Sequence, residues 1–435
     1  MPRSPHSRRE LARVASLVAL VILLFTLSIT VFCPMPGYAV VLETDQIGGI
    51  PYIERGISAD QMVNIDAKTG YLVTKDGVVL WSRGAQERRA IASITKVMTA
   101  IIAIEEDRLD DEVMISPYAS IIGGSTANFE AGQVYTMRYL LDAMLLVSGN
   151  DAAIAIAEHI GGDDASITEF EVPPSGEFDT PAFTILMNKK AHEMGLENSH
   201  FTNPQGFDAE EHYSSAEDVA KMVTYAMKKP LFREIVSTTQ FDVPGAEPRP
   251  STNILLTTFE GANGVKTGMT DAAGECLAGS ALRGDIELYG IVLGAASDEE
   301  RFQECADLLS FGFDHYANRI LAESGTVLGS TEVTNYLDVE IEVGITHDVA
   351  ATYYDLLGPI EQKVHIEPIK APVTNDTIVG SIKFLQNGEV IATEPIYSFE
   401  EIERPTFFES IQISLTRMWR WMTGSGGDKQ LVTTD

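Results

Sequence analysis

An apolar run with helical period begins at residue 94. Ile94, Val97, Met98 and Ile101 fall at i, i+3, i+4 and i+7, so one face of a helix here must be buried. The polar residues that open the run, Ser93 and Lys96, are three apart, which places the amine on the same face as the hydroxyl, one turn on. A serine hydroxyl near its free pKa is a poor nucleophile, and a lysine can act as its base only if burial or nearby positive charge lowers its own pKa. Alone, the pair reads as an N-cap serine and a surface lysine.

Two later clusters change that reading. Ser148-Gly149-Asn150 follows the apolar stretch from Tyr139 to Val147 and precedes a second one from Asp151 to Ala157, so it is expected to be a tight connection between helices that exposes one hydroxyl and one amide. Lys266-Thr267-Gly268 precedes a polar turn, Asp271 to Gly274, and two apolar segments, Cys276 to Leu282 and Glu287 to Leu293, that read as paired strands. Lys266 and Gly268 share a strand face, and a strand edge with a cation, a hydroxyl and no third side chain suits an extended peptide with a carboxylate end. Lys266 can also supply the positive charge that Lys96 needs. Lys68-Thr69-Gly70 repeats the letters, but it lies between the strand-like Met62 to Ile65 and Tyr71 to Thr74 and is read as a hairpin turn. Together the three clusters describe a serine acyl-transfer site.

The set matches the serine, lysine and Lys-Thr-Gly signature of penicillin-binding proteins and class A β-lactamases. The wider segments Ala92-Ser-Ile-Thr-Lys-Val-Met-Thr-Ala100, Ser148-Gly-Asn-Asp-Ala-Ala153 and Gly264-Val-Lys-Thr-Gly-Met-Thr270 resemble the D-alanyl-D-alanine carboxypeptidases, the low-molecular-mass penicillin-binding proteins. So do Asn203-Pro-Gln-Gly-Phe207 and His212-Tyr-Ser-Ser-Ala216, and the resemblance runs from about Met62 to Tyr316. Where the family has His-Gly-Leu after Asn-Pro, this chain has Gln205-Gly206-Phe207, a segment taken as structural. An acidic, Pro-containing insertion from Asp163 to Pro181 is read as a surface loop placed where it could shape substrate access.

The resemblance implies an α/β catalytic domain of β-lactamase and penicillin-binding-protein type, an antiparallel sheet flanked by helices, followed by a smaller all-β domain. It implies a peptidoglycan stem peptide ending in D-Ala-D-Ala as substrate and β-lactam antibiotics as covalent inhibitors. Ser93 would be the nucleophile and Lys96 its base; Ser148 and Lys266 would handle the proton passed to the departing amine. Asn150 would orient Lys96 and bind the substrate amide, and the backbone N–H groups of Ser93 and Met269 would hold the oxyanion. Thr267, beside Gly268, would donate to the substrate carboxylate, and Arg301, which opens a helix reading Arg301 to Phe313, would be its cation. Two rival functions share these residues. A β-lactamase needs a second base, and Glu193 with Leu196 only faintly echoes one because Asn does not follow Leu196. A catalytically silent wall-binding protein would not need Ser93, Lys96, Ser148, Asn150 and Lys266 all intact.

Charge and termini bound the setting. A formal charge of −32 argues against nucleic-acid partners. Residues 1–39 combine Arg3, Arg8, Arg9 and Arg13, an apolar stretch from Val14 to Phe32, and Gly37-Tyr38-Ala39, the parts of an export signal, with an uncleaved anchor as the alternative. The expected location is the outer face of a cytoplasmic membrane, the cell wall or the periplasm. Cys276 and Cys305 are expected as buried thiols, a disulfide between them being the alternative. The histidines form no zinc pattern and no phosphate loop is present, so no metal and no cofactor is expected.

The expected division is a catalytic domain at 40–322, a β domain at 323–405, an amphipathic helix at 406–423 and a tail at 424–435. Val339, Ile341, Val343 and Ile345 alternate with polar residues, and Asn387-Gly388 marks a hairpin. After Pro405, the stripe Phe408, Ile411, Leu415, Met418, Trp419 and Met422 is too short and charged to span a bilayer. With Arg417 and Arg420 beside it, it reads as an interfacial membrane anchor, the competing reading being a helix docked on the β domain.

Overall fold

The structure is a computed structural model that describes residues 41–162 and 181–424. The export segment, the insertion up to residue 180 and the tail after residue 424 lie outside the described residues. Seven antiparallel strands form the main sheet, in the spatial order Ile50–Pro51, Gln46–Ile47, Val79–Arg83, Thr69–Thr74, Ile286–Ala295, Gly274–Arg283 and Ala262–Thr270. The last of these is an edge strand, and it carries Lys266, Thr267 and Gly268.

Strand periodicity divides the sheet's side chains between two cores. On one face Val265, Cys276, Ala278, Tyr289, Ile291 and Leu293 pack against helices Lys96–Glu105, Met137–Leu146, Asn150–Gly162 and Ala216–Ala226. On the other, Leu72, Leu277, Ala281, Leu288 and Val292 pack against Phe302, Cys305, Leu308 and Leu309 of helix Asp298–His315. Cys276 and Cys305 therefore belong to opposite sides of the sheet, and both are free thiols. Burial pushes Cys276 up to about 11 and Cys305 up to about 12, so both stay protonated and unreactive.

Lys68-Thr69-Gly70 is not a hairpin turn, and Met62 to Ile65 is not a strand. Thr69 and Gly70 begin the interior strand Thr69–Thr74, with Gly70 paired to Val292 on one side and Arg83 on the other. A Cβ on Gly70 would lie 3.0 Å from both the Ile291 carbonyl and the Trp81 ring, so the glycine answers to packing. Residues Met62, Val63, Ile65 and Ala67 are buried as irregular chain beside helix Asp298–His315, whose Glu304 carboxylate accepts from the Asp66 and Ala67 amides at 2.8 and 3.1 Å. The apolar pattern was real, but a helix satisfied it. With both its neighbours paired, this strand has no free edge to offer a peptide.

In the C-terminal part the expected alternation holds at Ile341, Val343 and Ile345, which are buried. Val327–Glu332, Glu340–Gly344, Glu389–Ser398, Ile378–Gln386 and Ile360–Ile366 form a five-stranded antiparallel sheet over Ile341, Val343, Ile345, Ile382, Phe384 and Ile396. Asn387 and Gly388 both adopt positive φ, 51° and 83°, in a two-residue loop closing the Gln386–Glu389 pair, as an Asn-Gly hairpin requires. Strand Tyr316–Ala322 pairs with Val349–Tyr354.

Helix Phe407–Thr423 starts at a capping box between Thr406 and Glu409. It combines features of both readings of its stripe. Arg417 donates to the Thr334 and Tyr336 carbonyls, and Arg420 pairs with Asp338 at 2.7 Å, so the two cations hold the helix to the β domain and are not directed at headgroups. None of its residues is buried, and Phe408 (81% exposed) and Trp421 (84%) stand in solvent. No helix among the described residues is long and apolar enough to cross a membrane.

Gly279 and Gly290 face each other across adjacent strands, leaving a hollow filled by Cys305 and Leu309. A Cβ on Gly279 would lie 2.5 Å from the Cys305 sulfur. Gly279→Val is expected to lower unfolding free energy by roughly 1–3 kcal/mol through overpacking, read from denaturant midpoints, whereas Cys305→Ala in the same background restores part of the loss.

Candidate active site

Ser93 lies in a 3-10 turn, Ala92–Thr95, that runs directly into helix Lys96–Glu105. The chain enters this turn under strain, because Ala92 has φ 48°, a left-handed value that costs of order 1–3 kcal/mol outside glycine. Two glycines press on the turn from either side. A Cβ on Gly206 would lie 2.0 Å from the Ala92 carbonyl oxygen, and one on Gly268 would lie 3.0 Å from the Ser93 amide nitrogen. Both positions thus require a residue without a side chain if the serine is to keep its place.

Lys96 is wholly buried. Its Nζ lies 2.7 Å from each of three oxygens: Ser93 Oγ, Asn150 Oδ1 and the Gln205 main-chain carbonyl. Burial drives its pKa well below the ordinary lysine value, and the positive charge of Lys266 pushes it further, against a smaller opposing pull from Asp151. A neutral amine has two N–H bonds and one lone pair. The Gln205 carbonyl can only accept, and the Asn150 carboxamide is oriented by its Nδ2, which donates to the Gly123 carbonyl at 2.9 Å. Those two acceptors take both N–H bonds, so the lone pair is left for the Ser93 hydroxyl. The arrangement can accept the serine proton.

The Ser148-Gly149-Asn150 connection falls between helices Met137–Leu146 and Asn150–Gly162, as expected. Ser148 holds a left-handed φ of 60° at the turn and is 5% exposed. Asp151, which sequence reading passed over, accepts from the Ala127, Phe129 and Ala152 amides at 2.9, 3.1 and 2.9 Å and so fixes the loop beside Asn150.

Lys266 is almost fully buried, with its amine 3.0 Å from the Thr267 carbonyl. Burial first, and then the charge of Arg301, lower its pKa to about 7, so it can exchange a proton near neutrality. The Thr267 hydroxyl is engaged with Thr252 Oγ1 at 2.8 Å, a partner the sequence did not announce. Met269, next along the edge strand, exposes 60% of its surface. Arg301 reaches this strand from the sheet face carrying helix Asp298–His315. Its Nη1 donates to the Gly268 carbonyl at 3.1 Å, and it forms ion pairs with Glu275 and Asp298. The arginine that the resemblance assigns to the substrate carboxylate is therefore already paired with two acids of this chain.

The Asn203–Phe207 segment, taken as structural, joins the site through its backbone. Asn203 Oδ1 accepts from the Gly206 and Phe207 amides at 2.7 and 3.0 Å, and Thr99 donates to the Pro204 carbonyl at 2.7 Å, which together aim the Gln205 carbonyl at Lys96. His212 stands behind. Thr202 N–H donates to its Nδ1 at 3.1 Å, so Nε2 carries the proton and donates to Thr95 Oγ1 at 2.8 Å. Burial lowers His212 to about 4, which keeps this link neutral.

Comparison with known proteins bears on this constellation directly. The family model described as D-alanyl-D-alanine carboxypeptidase matches residues 53–297, more than half of the chain. The chain belongs to the D-alanyl-D-alanine carboxypeptidase family. A model described as penicillin-binding protein 5, C-terminal domain, matches residues 316–404. The carboxypeptidase DacF of Bacillus subtilis is 29% identical over 355 residues, covering 79% of this chain and 87% of its own. DacC of Escherichia coli is 29% identical over 371 residues, covering 81% and 88%. Among solved structures, the carboxypeptidase DacD of Francisella tularensis superposes with TM-score 0.55 at 26% identity, covering 79% of this chain and 95% of that one. The Streptomyces K15 DD-transpeptidase reaches 0.52 at 31% identity over 58% of this chain and 98% of that one.

Within this carboxypeptidase, Lys96→Arg tests the lone-pair argument, because a guanidinium keeps a long donor side chain but stays charged and has no accessible lone pair. Covalent labelling by a fluorescent penicillin is expected to slow at least about 100-fold, the lower range for loss of a positioned base. A labelling rate within a few-fold of wild type would contradict it.

Proposed function

We propose that the site works as a single proton path around Ser93 in a serine D-Ala-D-Ala carboxypeptidase. The reaction class is the family's; the assignment of steps rests on the geometry. Lys96 takes the Ser93 proton as Oγ attacks the penultimate carbonyl of a stem peptide lying along edge strand Ala262–Thr270. The backbone N–H groups of Ser93 and Met269 receive the oxyanion, a reading supported by the close approach of Gly268 to the Ser93 amide. Collapse of the tetrahedral intermediate breaks the C–N bond, and the departing D-alanine amine takes a proton by way of Ser148 and Lys266. Water then hydrolyses the ester, releasing the shortened peptide and returning the proton to Ser93. The observation that carries this reading is the three-oxygen cradle of a buried, pKa-depressed Lys96.

Asn150 orients Lys96 and offers its amide side to the substrate backbone. Thr267 serves the terminal carboxylate by turning its hydroxyl away from Thr252, and Arg301 supplies positive charge there. A β-lactam enters by the same attack, and its ring-opened amine stays tethered in the adduct.

The chain is taken to be exported by residues 1–39. Its catalytic part is followed by a β domain whose first strand, Tyr316–Ala322, pairs with Val349–Tyr354, favouring a division at the end of helix Asp298–His315 over one at residue 322. Helix Phe407–Thr423, held by Arg417 and Arg420, presents Phe408, Leu415 and Trp419 to the membrane surface, so the β domain spaces the site away from it.

Wild-type enzyme is expected to release D-alanine from diacetyl-lysyl-D-Ala-D-Ala, and Ser93→Ala to abolish both release and penicillin labelling. Rapid penicillin turnover without a stable adduct would favour a β-lactamase, and no labelling of wild type would favour a silent wall-binding protein. Deleting residues 406–435 is expected to move the protein from the vesicle-bound to the free fraction in flotation. Unchanged partitioning would remove the anchor.

A further inference from the structure

The Lys-Thr-Gly strand ends against an arginine that is already engaged. Arg301 is 8% exposed, and Glu275 and Asp298 both pair with it. The two carboxylates differ in setting. Glu275 lies on strand Gly274–Arg283 directly across from Met269, one position from the Gly268 partner Cys276, and only 19% of its side chain is exposed. Asp298 opens helix Asp298–His315, with 68% of its side chain in solvent. One guanidinium between two carboxylates leaves a formal local charge of minus one where an anionic peptide end has to dock. Arg301 Nε, buried and without a partner, adds an unsatisfied donor to the same group.

We infer that Glu275 is a specificity-determining residue, an internal carboxylate that occupies Arg301 in the free enzyme and must yield to the substrate's terminal carboxylate. The inference rests on the reading of Arg301 as the carboxylate's cation. Recognition is then an exchange of one carboxylate for another on the same guanidinium, and the enzyme binds anionic peptide ends more weakly than Arg301 alone would allow. The Arg301 link to the Gly268 carbonyl does not depend on either acid, so the strand can keep its place during exchange. Asp298, more exposed and therefore better screened, competes less.

The test uses the full chain and Glu275→Gln, which keeps a hydrogen-bond acceptor for Arg301 and removes the charge. The Michaelis constant for diacetyl-lysyl-D-Ala-D-Ala is expected to fall on the order of threefold to tenfold, with a smaller fall for Asp298→Asn. For the same peptide ending in a C-terminal amide, neither variant is expected to lower it. A merely structural role for Glu275 predicts no fall, or a rise shared by both peptides, and either result overturns the inference. Arg301→Gln separates the two levels. If it raises the constant for the carboxylate peptide while Glu275→Gln changes nothing, the exchange is wrong and the Arg301 reading survives. If Arg301→Gln discriminates no better against the amide than wild type does, the Arg301 reading fails and the exchange with it.

Discussion

A buried amine held by three oxygens is the constraint around which the catalytic half is arranged. Taking Lys96 out of water costs the charged form heavily, and nearby Lys266 adds a like charge, so both push its pKa well below that of an ordinary lysine and favour the neutral amine. Each oxygen of the cradle comes from a different part of the chain. Ser93 is one turn away, Asn150 opens the next long helix but one, and Gln205 contributes only a main-chain carbonyl. The supporting contacts exist to hold those three in place: Asp151 on the loop beside Asn150, Asn203 and Thr99 behind Gln205, and neutral His212 behind Thr95.

The sheet sets the other boundary. Its edge strand is the one place where a Lys-Thr-Gly triplet keeps a free backbone edge while its lysine shares a face with the helical cluster. The identical triplet at Lys68 shows that the letters do not suffice. There the strand is interior, both ladders are filled, and Gly70 serves close packing under Trp81. The opposite face contributes through Arg301, whose charge lowers Lys266 and whose guanidinium fastens the Gly268 carbonyl. Two layers on opposite sides of one sheet thus meet electrostatically at its edge.

Much of this was legible beforehand. The helical stripe after Ser93, the turn at Ser148-Gly149-Asn150, the alternation around Ile341 and the Asn387-Gly388 hairpin are local patterns, and local sterics and hydrophobic period decide them. So is the amphipathic helix after Pro405. The contributions that escaped notice are those without a side-chain signature. The Gln205 carbonyl acts through the backbone, and Gly206 and Gly268 act through what they lack. Asp151 looked like an ordinary residue in the first turn of a helix.

The sequence by itself determined the local settings of the candidate residues, because the spacing of Ser93 and Lys96 and the turn and strand around the other clusters are short-range properties. Tertiary structure alone decided that Thr69 and Gly70 open an interior strand instead of a turn, that Cys276 and Cys305 stay apart across the sheet, that Arg417 and Arg420 grip the β domain, and that Arg301 arrives already paired. Those outcomes depend on long-range register, on which face of the sheet a residue occupies and on which opposite charges that placement brings within reach. No pattern along the chain encodes such distances.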